Sequence, residues 1–345
     1  MKKAFLTMTG CLIATVALFS QTDTTYYSGF KFGFTYPVST HGLQHTHQYS
    51  NAVSVNLLVG VSGDERAFAF SGLANIVRNN ITGFQFAGLY NHAGNNGNGF
   101  AMSGLGNNIG NNYNGFLFAG LLNRSREMCG VQMTGLVNMA GNVRGIQFAG
   151  LVNMAANVSG VQIAGLVNVA KNVKGIQFAG LVNVADSSDY PIAIINIIKN
   201  GEKSIALSYN ETGSVIVSFR SGGKVTYGII GLGYNHKAGN QSWLVESGLG
   251  AHINCSPRFR INNELTVENF IMSKNAAFKA GYRLSAAYRF FSHMEIFAGT
   301  GISYMQTNDD SHTGIFPRHA LWKHHNGFKF RQVSIGYQFG VQYIF

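Results

Sequence analysis

Eight near-identical units run from Ala67 to Asn183, each in the order small, apolar, any, apolar, small, Gly, Leu, any, Asn. The Gly–Leu–x–Asn tetrads begin at Gly72, Gly88, Gly104, Gly120, Gly135, Gly150, Gly165 and Gly180. Their asparagines are Asn75, Asn91, Asn107, Asn123, Asn138, Asn153, Asn168 and Asn183. The period is 16 residues for three intervals and 15 for four. A short fixed period describes a chain that stacks one small unit on itself. A rod of that kind suits a scaffold or display surface better than a catalytic pocket.

Every unit carries two or three glycines, each costing about 1 kcal/mol in a helix, so the units are predicted to be strands. Fifteen residues hold two or three strands of ~4 residues with corners, which is one coil of a β-solenoid. Stacked coils place equivalent residues ~4.8 Å apart, so eight of them make a rod of roughly 38 Å. Asn153, Asn168 and Asn183 then sit one above another and can bond amide to amide. Ile146, Val161 and Ile176 are expected to fill the core. The glutamines at 85, 132, 147, 162 and 177 give way to Ala69, Ala101 and Leu117 in other units. That tolerance predicts an outward face for them. An antiparallel meander would not stack identical residues, and the strict asparagine position favours parallel coils.

After residue 190 the pattern lengthens. In the last run, Val333, Ile335, Tyr337, Phe339, Val341, Tyr343 and Phe345 alternate with Ser334, Gly336, Gln338, Gly340 and Gln342. Thirteen residues with one apolar face exceed the ~9–11 that cross a bilayer at a tilt. Phe278–Phe290 repeats this pattern. Less regular runs occupy Trp243–Ile253, Ile261–Ile271 and Met294–Tyr304, and shorter ones 203–210, 214–220 and 224–234. The fold class expected is all-β: a solenoid of about eight 15–16-residue coils with an antiparallel transmembrane-type barrel of 8–10 strands. The divisions expected are a signal peptide at 1–20, N-terminal strands at 21–60, solenoid repeats at 61–189 and barrel at 190–345.

The signal rests on Lys2 and Lys3 followed by the apolar run Ala4–Phe19. Thr7, Thr9 and Gly10 interrupt that run, which argues against a membrane anchor, and Cys11 lacks the setting of a lipidation site. Cys129 and Cys255 lie in different regions and predict no disulfide framework. The net charge of +11 becomes +9 without Lys2 and Lys3, and its cations are scattered, so nucleic acid is not an expected partner. A mild attraction to anionic surface polymers is.

Strand parity sets the side of the membrane. Barrel termini and short turns usually lie in the periplasm, and long loops lie outside. Eight strands would leave the repeats below the membrane. Asn200-Gly201 is a strong hairpin signal. It pairs Ile192–Ile198 with Lys203–Tyr209 as a ninth strand, and Ser28–Tyr36, with its aromatic face, supplies a tenth. Ten strands are preferred, which would display the repeats on the cell surface.

Candidate sites are few. His312, His319, His324 and His325 share one loop, and His41, His45 and His47 another; imidazoles suit zinc, copper or nickel. Glu246, Glu264 and Glu268 share the polar strand face with Arg283 and Arg289, and a charged network filling the lumen is expected there. No phosphate-loop, zinc-protease or Gly-x-Ser-x-Gly motif occurs. Ser303 and His293 are too separated for a nucleophile and its base. No enzyme activity and no cofactor are expected; a small barrel enzyme acting on envelope lipids and a secreted soluble solenoid are the rivals.

The final strand, ending on Phe345 with aromatics at 343, 339 and 337, resembles the C-terminal signal of outer-membrane β-barrels. That resemblance implies outer-membrane lipid and the barrel-insertion machinery as partners in a Gram-negative envelope. The Gly-Ile-Gln-Phe-Ala-Gly-Leu-Val-Asn units at 145–153 and 175–183 resemble those of a bacterial surface-repeat family of the cell envelope. They cover about a third of the chain. The resemblance implies a surface location and a structural, adhesive or surface-binding role, with no site residues to carry over.

Overall fold

The computed structural model describes residues 25–43, 45–237, 243–271, 277–308, 314–317, 319–327 and 329–345. The expected signal peptide at 1–20 lies outside them. The described chain forms a β-solenoid of about ten turns followed by a closed eight-stranded antiparallel barrel.

The solenoid is longer than the eight units. Tyr26–Thr35 pairs in parallel with Tyr49–Asn56, and that strand with Asp64–Ser71, so the N-terminal strands are its first coils. At the other end Ile195–Ile198 pairs in parallel with Val182–Ala185. Neither Ser28–Tyr36 nor Ile192–Ile198 therefore belongs to the barrel, and the ten-strand count is corrected to eight. Ser28–Tyr36 alternates as a barrel strand does and Ile192–Ile198 is apolar on both faces, but parallel stacking on a repeat meets their backbone hydrogen bonds more locally. Ten turns at ~4.8 Å make a rod of roughly 48 Å.

Equivalent residues stack in register, as the pairing of Asn138 with Asn153 and of Val143 with Val158 shows. Asn75 begins a ladder in which each amide nitrogen donates to the next asparagine's oxygen, through Asn91 at 2.9 Å to Asn183 and Asn196 at 2.9 Å. The same nitrogen also donates to a backbone carbonyl of the next coil, as from Asn153 to Ile163 at 2.7 Å. Buried amides satisfied on both hydrogens explain why asparagine holds the position from Asn75 to Asn196, while Gly60 stands there in the coil before.

The phase of the coil is the reverse of the one expected. Gln147 is fully buried, and Ile146 and Phe148 are 41% and 42% exposed. Gln147, Gln162 and Gln177 form a second ladder, each donating to the preceding coil at 2.9, 2.8 and 3.0 Å. Where Ala69, Ala101 or Leu117 replaces glutamine it is equally buried, beside an interior of Tyr113, Met128, Val143, Val158 and Val173. Tolerance of Ala and Leu thus reflects a core with both apolar and amide columns. Ile146, Val161 and Ile176 stack on the outside. Gly145 faces inward at φ 134, and a Cβ there would lie 2.0 Å from the Gly130 carbonyl oxygen, so close stacking of the coils requires glycine.

The barrel strands are Lys203–Asn210, Ser214–Gly222, Thr226–Asn235, Trp243–Asn254, Phe259–Ile271, Ala277–Phe291, Met294–Thr307 and Lys329–Ile344. Each pairs with the next, and Ser204 opposite Ile344 closes the cylinder. Ala320–Asn326 extends the last strand as a hairpin beyond the closed wall. Alternation places Ser334 and Gln342 inside and Ile335, Tyr337 and Phe339 outside, half exposed. The turns at 223–225, 255–258 and 292–293 share one end with the barrel's first and last residues. The solenoid joins at that end: Thr226 Oγ1 donates to the Pro191 carbonyl at 2.8 Å. Gly228 leaves room for the Ala193 and Ile194 carbonyls against the outer wall.

Candidate functional site

The densest group of titratable side chains fills the lumen. Strand register brings Glu264 opposite Arg283, Glu268 opposite Lys279 and Arg289 opposite Glu295. Glu246 faces Glu268 directly, and two carboxylates so placed require cations between them. Arg283 supplies one, at 2.7 Å from Glu246, 3.2 Å from Glu264 and 3.7 Å from Glu268. Lys279 supplies another, bridging Glu268 at 3.1 Å and Glu211 at 2.8 Å. Arg220 reaches Glu264 at 3.1 Å and Gln342 at 2.7 Å, and its guanidinium lies 4.7 Å from the Phe297 ring centre. Tyr227 donates its hydroxyl to Glu264 at 2.8 Å.

Towards the short-turn end, Arg260 bridges Glu202 and Glu295, each at 2.8 Å. Arg289 binds Glu295 at 2.7 Å. A polar recess of about 610 Å³ opens there, lined by Glu202, Arg258, Arg260 and Arg289. Inside the wall, the space among Glu211, Lys279, Ser303 and Gln338 is only about 20 Å³, room for about one water. The expected carboxylates and arginines are thus together, each carboxylate matched by a cation or donor. Sequence reading missed Arg220, Arg260 and Glu295. Strand parity alone could have placed them on the same face.

The metal candidates do not converge. His312 lies outside the described residues. His319, His324 and His325 are exposed. His324 stacks on Trp322 at 5.7 Å, and His325, its chain neighbour on the strand, meets the edge of Phe330 at 6.1 Å. In the N-terminal loop His41 stacks on Tyr49 at 3.9 Å, and its Nε2 lies 3.0 Å from Ser28 Oγ. Burial, and secondarily the Lys31 ammonium, hold that ring below the usual imidazole range. His45 and His47 are 6.5 Å apart between ring centres. Among the described residues no three His, Cys, Asp or Glu side chains form a metal-holding group. Ser303 lies 3.3 Å from Ser334 in the lumen, and His293 is in the turn below, roughly 30 Å along the strand. Cys129 and Cys255 are exposed and free.

The second feature is the outer surface. Among the described residues, the outward positions of the barrel between Lys203 at one end and Arg331 at the other carry no charge. Leu232, Leu265 and Ile302 are 61%, 60% and 56% exposed. Two outward hydroxyls are satisfied locally: Tyr282 donates to Asn263 at 2.7 Å and Thr300 to the Gly336 carbonyl at 2.9 Å. The molecule is therefore of a defined class, a closed antiparallel barrel with a filled lumen that carries a parallel β-solenoid.

No protein family model matches the chain, and none of the curated proteins matches it. Among solved structures, a de novo designed transmembrane β-barrel is similar at 14% identity, over 42% of this chain and 93% of the designed one, with a TM-score of 0.24. A likeness that slight bears on neither family nor function.

Proposed function

We propose that the protein is a non-enzymatic β-barrel of the Gram-negative outer membrane whose role is structural: it holds the solenoid at the membrane as an envelope scaffold. The observation that carries this reading is the apolar exterior, uncharged between Lys203 and Arg331, of strands as long as 16 residues around a lumen in which the described ions are paired. Water outside such a wall would leave leucines and aromatics exposed all round the cylinder, and hydrocarbon removes that cost. Outer-membrane lipid and, through the aromatic strand ending on Phe345, the barrel-insertion machinery are its partners.

The preference for surface display rested on ten strands and lapses with them. With eight strands, the short turns and both barrel termini share the end where the solenoid attaches, and the usual topology puts that end in the periplasm. An adhesive or polymer-binding role would then act on ligands within the envelope. Fractionation tests the membrane assignment. The protein should sediment with outer membranes and stay there through alkaline carbonate extraction; recovery in the soluble fraction would refute it.

A further inference from the structure

Each coil shows two unlike arcs to its surroundings. In the coil from Asn172 to Asp186, the outward residues Asn172, Lys174 and Asp186 form a polar arc. Ile176, Phe178, Leu181 and the partly exposed Val182 and Val184 form the other. The positions of Ile176, Phe178, Leu181 and Val182 stack into columns without charge along the repeats, whereas the Val184 column passes through Met139 to Arg124, Asn108 and His92 in the earlier coils. The column at the Gly–Leu corner runs from Leu73 at 39% exposed to Leu181 at 48%. The first coils continue the columns on the long face, where Phe30 pairs with Val53 and Val53 with Phe68. A continuous apolar surface on that scale marks an interaction site.

We propose that this arc is seated in the hydrocarbon of the bilayer that the barrel crosses, so that the solenoid lies half-immersed in the membrane face with its polar arc in water. The inference rests on the membrane reading of the barrel and adds a second membrane contact to it. Three observations favour lipid over a protein partner. First, the arc turns a corner: it covers part of both solenoid faces and the leucine edge between them. A rigid partner of ordinary convex shape would cover one face, whereas fluid acyl chains cover all of it.

Second, the arc is continuous with the barrel's own apolar wall. Phe178 and Ile194 of the last coils line an apolar groove of about 620 Å³ whose opposite side is Leu265, Tyr282 and Ile302. If lipid wets one side of that groove, it wets the other. Third, the charge at the margins suits anionic headgroups. Outside the buried Lys31 and Glu65, solenoid residues 26–198 carry seven cations, among them Arg144 and Lys174 beside the arc, against four carboxylates. Amphipathic surfaces with a basic margin bind membrane interfaces in this manner. The backbone permits immersion because stacked coils bond to one another throughout, and the polar side chains of the core are turned away from the arc.

The test uses the full chain with Cys129→Ser and Cys255→Ser, and one new cysteine at a time carrying a polarity-sensitive fluorophore. The positions are Leu166→Cys on the arc, Ser159→Cys on the polar arc and Leu232→Cys on the barrel wall away from the groove. Each protein is reconstituted into phosphatidylethanolamine–phosphatidylglycerol vesicles with brominated acyl chains. Loss of most of the emission at 232 and 166, with 159 unaffected, is the expected result. Quenching at 232 without quenching at 166 overturns the inference and leaves the barrel in place. A blue shift at 166 that bromine does not quench means that protein, such as a second copy, covers the arc, and overturns it as well. Equal quenching at 159 and 166 refutes the division into arcs. Quenching at none of the three removes the membrane reading itself, and this inference with it.

Discussion

Asn196 is bonded to Ser221 twice: its backbone nitrogen donates to Ser221 Oγ at 3.0 Å and its side-chain amide to the Ser221 carbonyl at 3.2 Å. Asn196 ends the asparagine ladder, and Ser221 lies on the second barrel strand. The internal hydrogen-bond column of the solenoid is thus tied to the barrel wall. Ser221→Ala should leave the barrel closed and loosen the last coil. Hydrogen exchange at Ile195–Ile198 should accelerate while that of Ser334–Tyr343 is unchanged.

The ladder should be worth more inside than at the surface. Asn168 donates to Asn183 at 3.0 Å and to the Phe178 carbonyl at 2.7 Å, fully buried. Asn168→Ala leaves the Asn153 amide and that carbonyl short of partners, at about 1–3 kcal/mol for each group stranded. Asn157 donates to Asn142 at 2.8 Å on the exposed corner, where loss of one such bond should change stability by no more than about 0.5 kcal/mol. Denaturant unfolding of the two alanine variants in detergent measures the difference.

Core phase can be checked independently. Gln147→Ala interrupts the buried amide column between Gln132 and Gln162 and should destabilise by about 1–3 kcal/mol. Ile146→Ser, one residue away and facing outward, should cost no more than about 0.5 kcal/mol in detergent. The opposite order would restore the apolar core that the alternation first suggests.

Arg283 joins three buried carboxylates, so Arg283→Met should weaken the barrel by about 3–5 kcal/mol through the charges left unpaired. Adding Glu246→Gln and Glu264→Gln should recover part of the loss. The temperature at which the folded gel band disappears reports both effects.

The first coils should respond to pH through Glu65. Burial pushes its carboxyl above the usual carboxylate range, against hydrogen bonds from Ser54 at 2.7 Å and Asn51 at 3.1 Å. A raised folded-state pKa means that its contribution is full below the unfolded pKa and is lost as pH rises through the folded one. Burial also lowers the Lys31 ammonium, whose contribution is present at high pH and lost as pH falls through its folded pKa. Exchange at Tyr49–Asn56 should quicken as pH rises through the Glu65 transition, after correction for intrinsic rates, and Glu65→Gln should abolish that step.

The eight barrel strands are legible because one side of each is apolar and the other faces a charged lumen, and Val333–Phe345 states this in its alternation. Parallel stacking is legible from the asparagines alone, since only in-register copies bond amide to amide. The phase of the coil is not, because Ile146 and Gln147 are neighbours on one strand and the bonded glutamine column, not hydropathy, decides which of them faces inward. Ser28–Tyr36 misleads because its aromatics line the outer face of a coil as readily as a barrel wall. Asn200-Gly201 does form a turn, with Gly201 N donating to the Ile198 carbonyl at 3.1 Å, but it links solenoid to barrel instead of two barrel strands.

The side of the membrane follows from the strand count. A short epitope inserted after Ala156, at the polar corner between strands, should be reached by antibody only after the outer membrane is permeabilised. Labelling of intact cells would place the solenoid outside.

Gel mobility tests the membrane barrel most directly. A closed barrel held by lipid-facing strands should run as a compact band in detergent when unboiled and shift to the position of the 37.4 kDa chain, less any processed leader, on boiling. A single band at that position with or without heating, from protein recovered in the soluble fraction, would contradict the account.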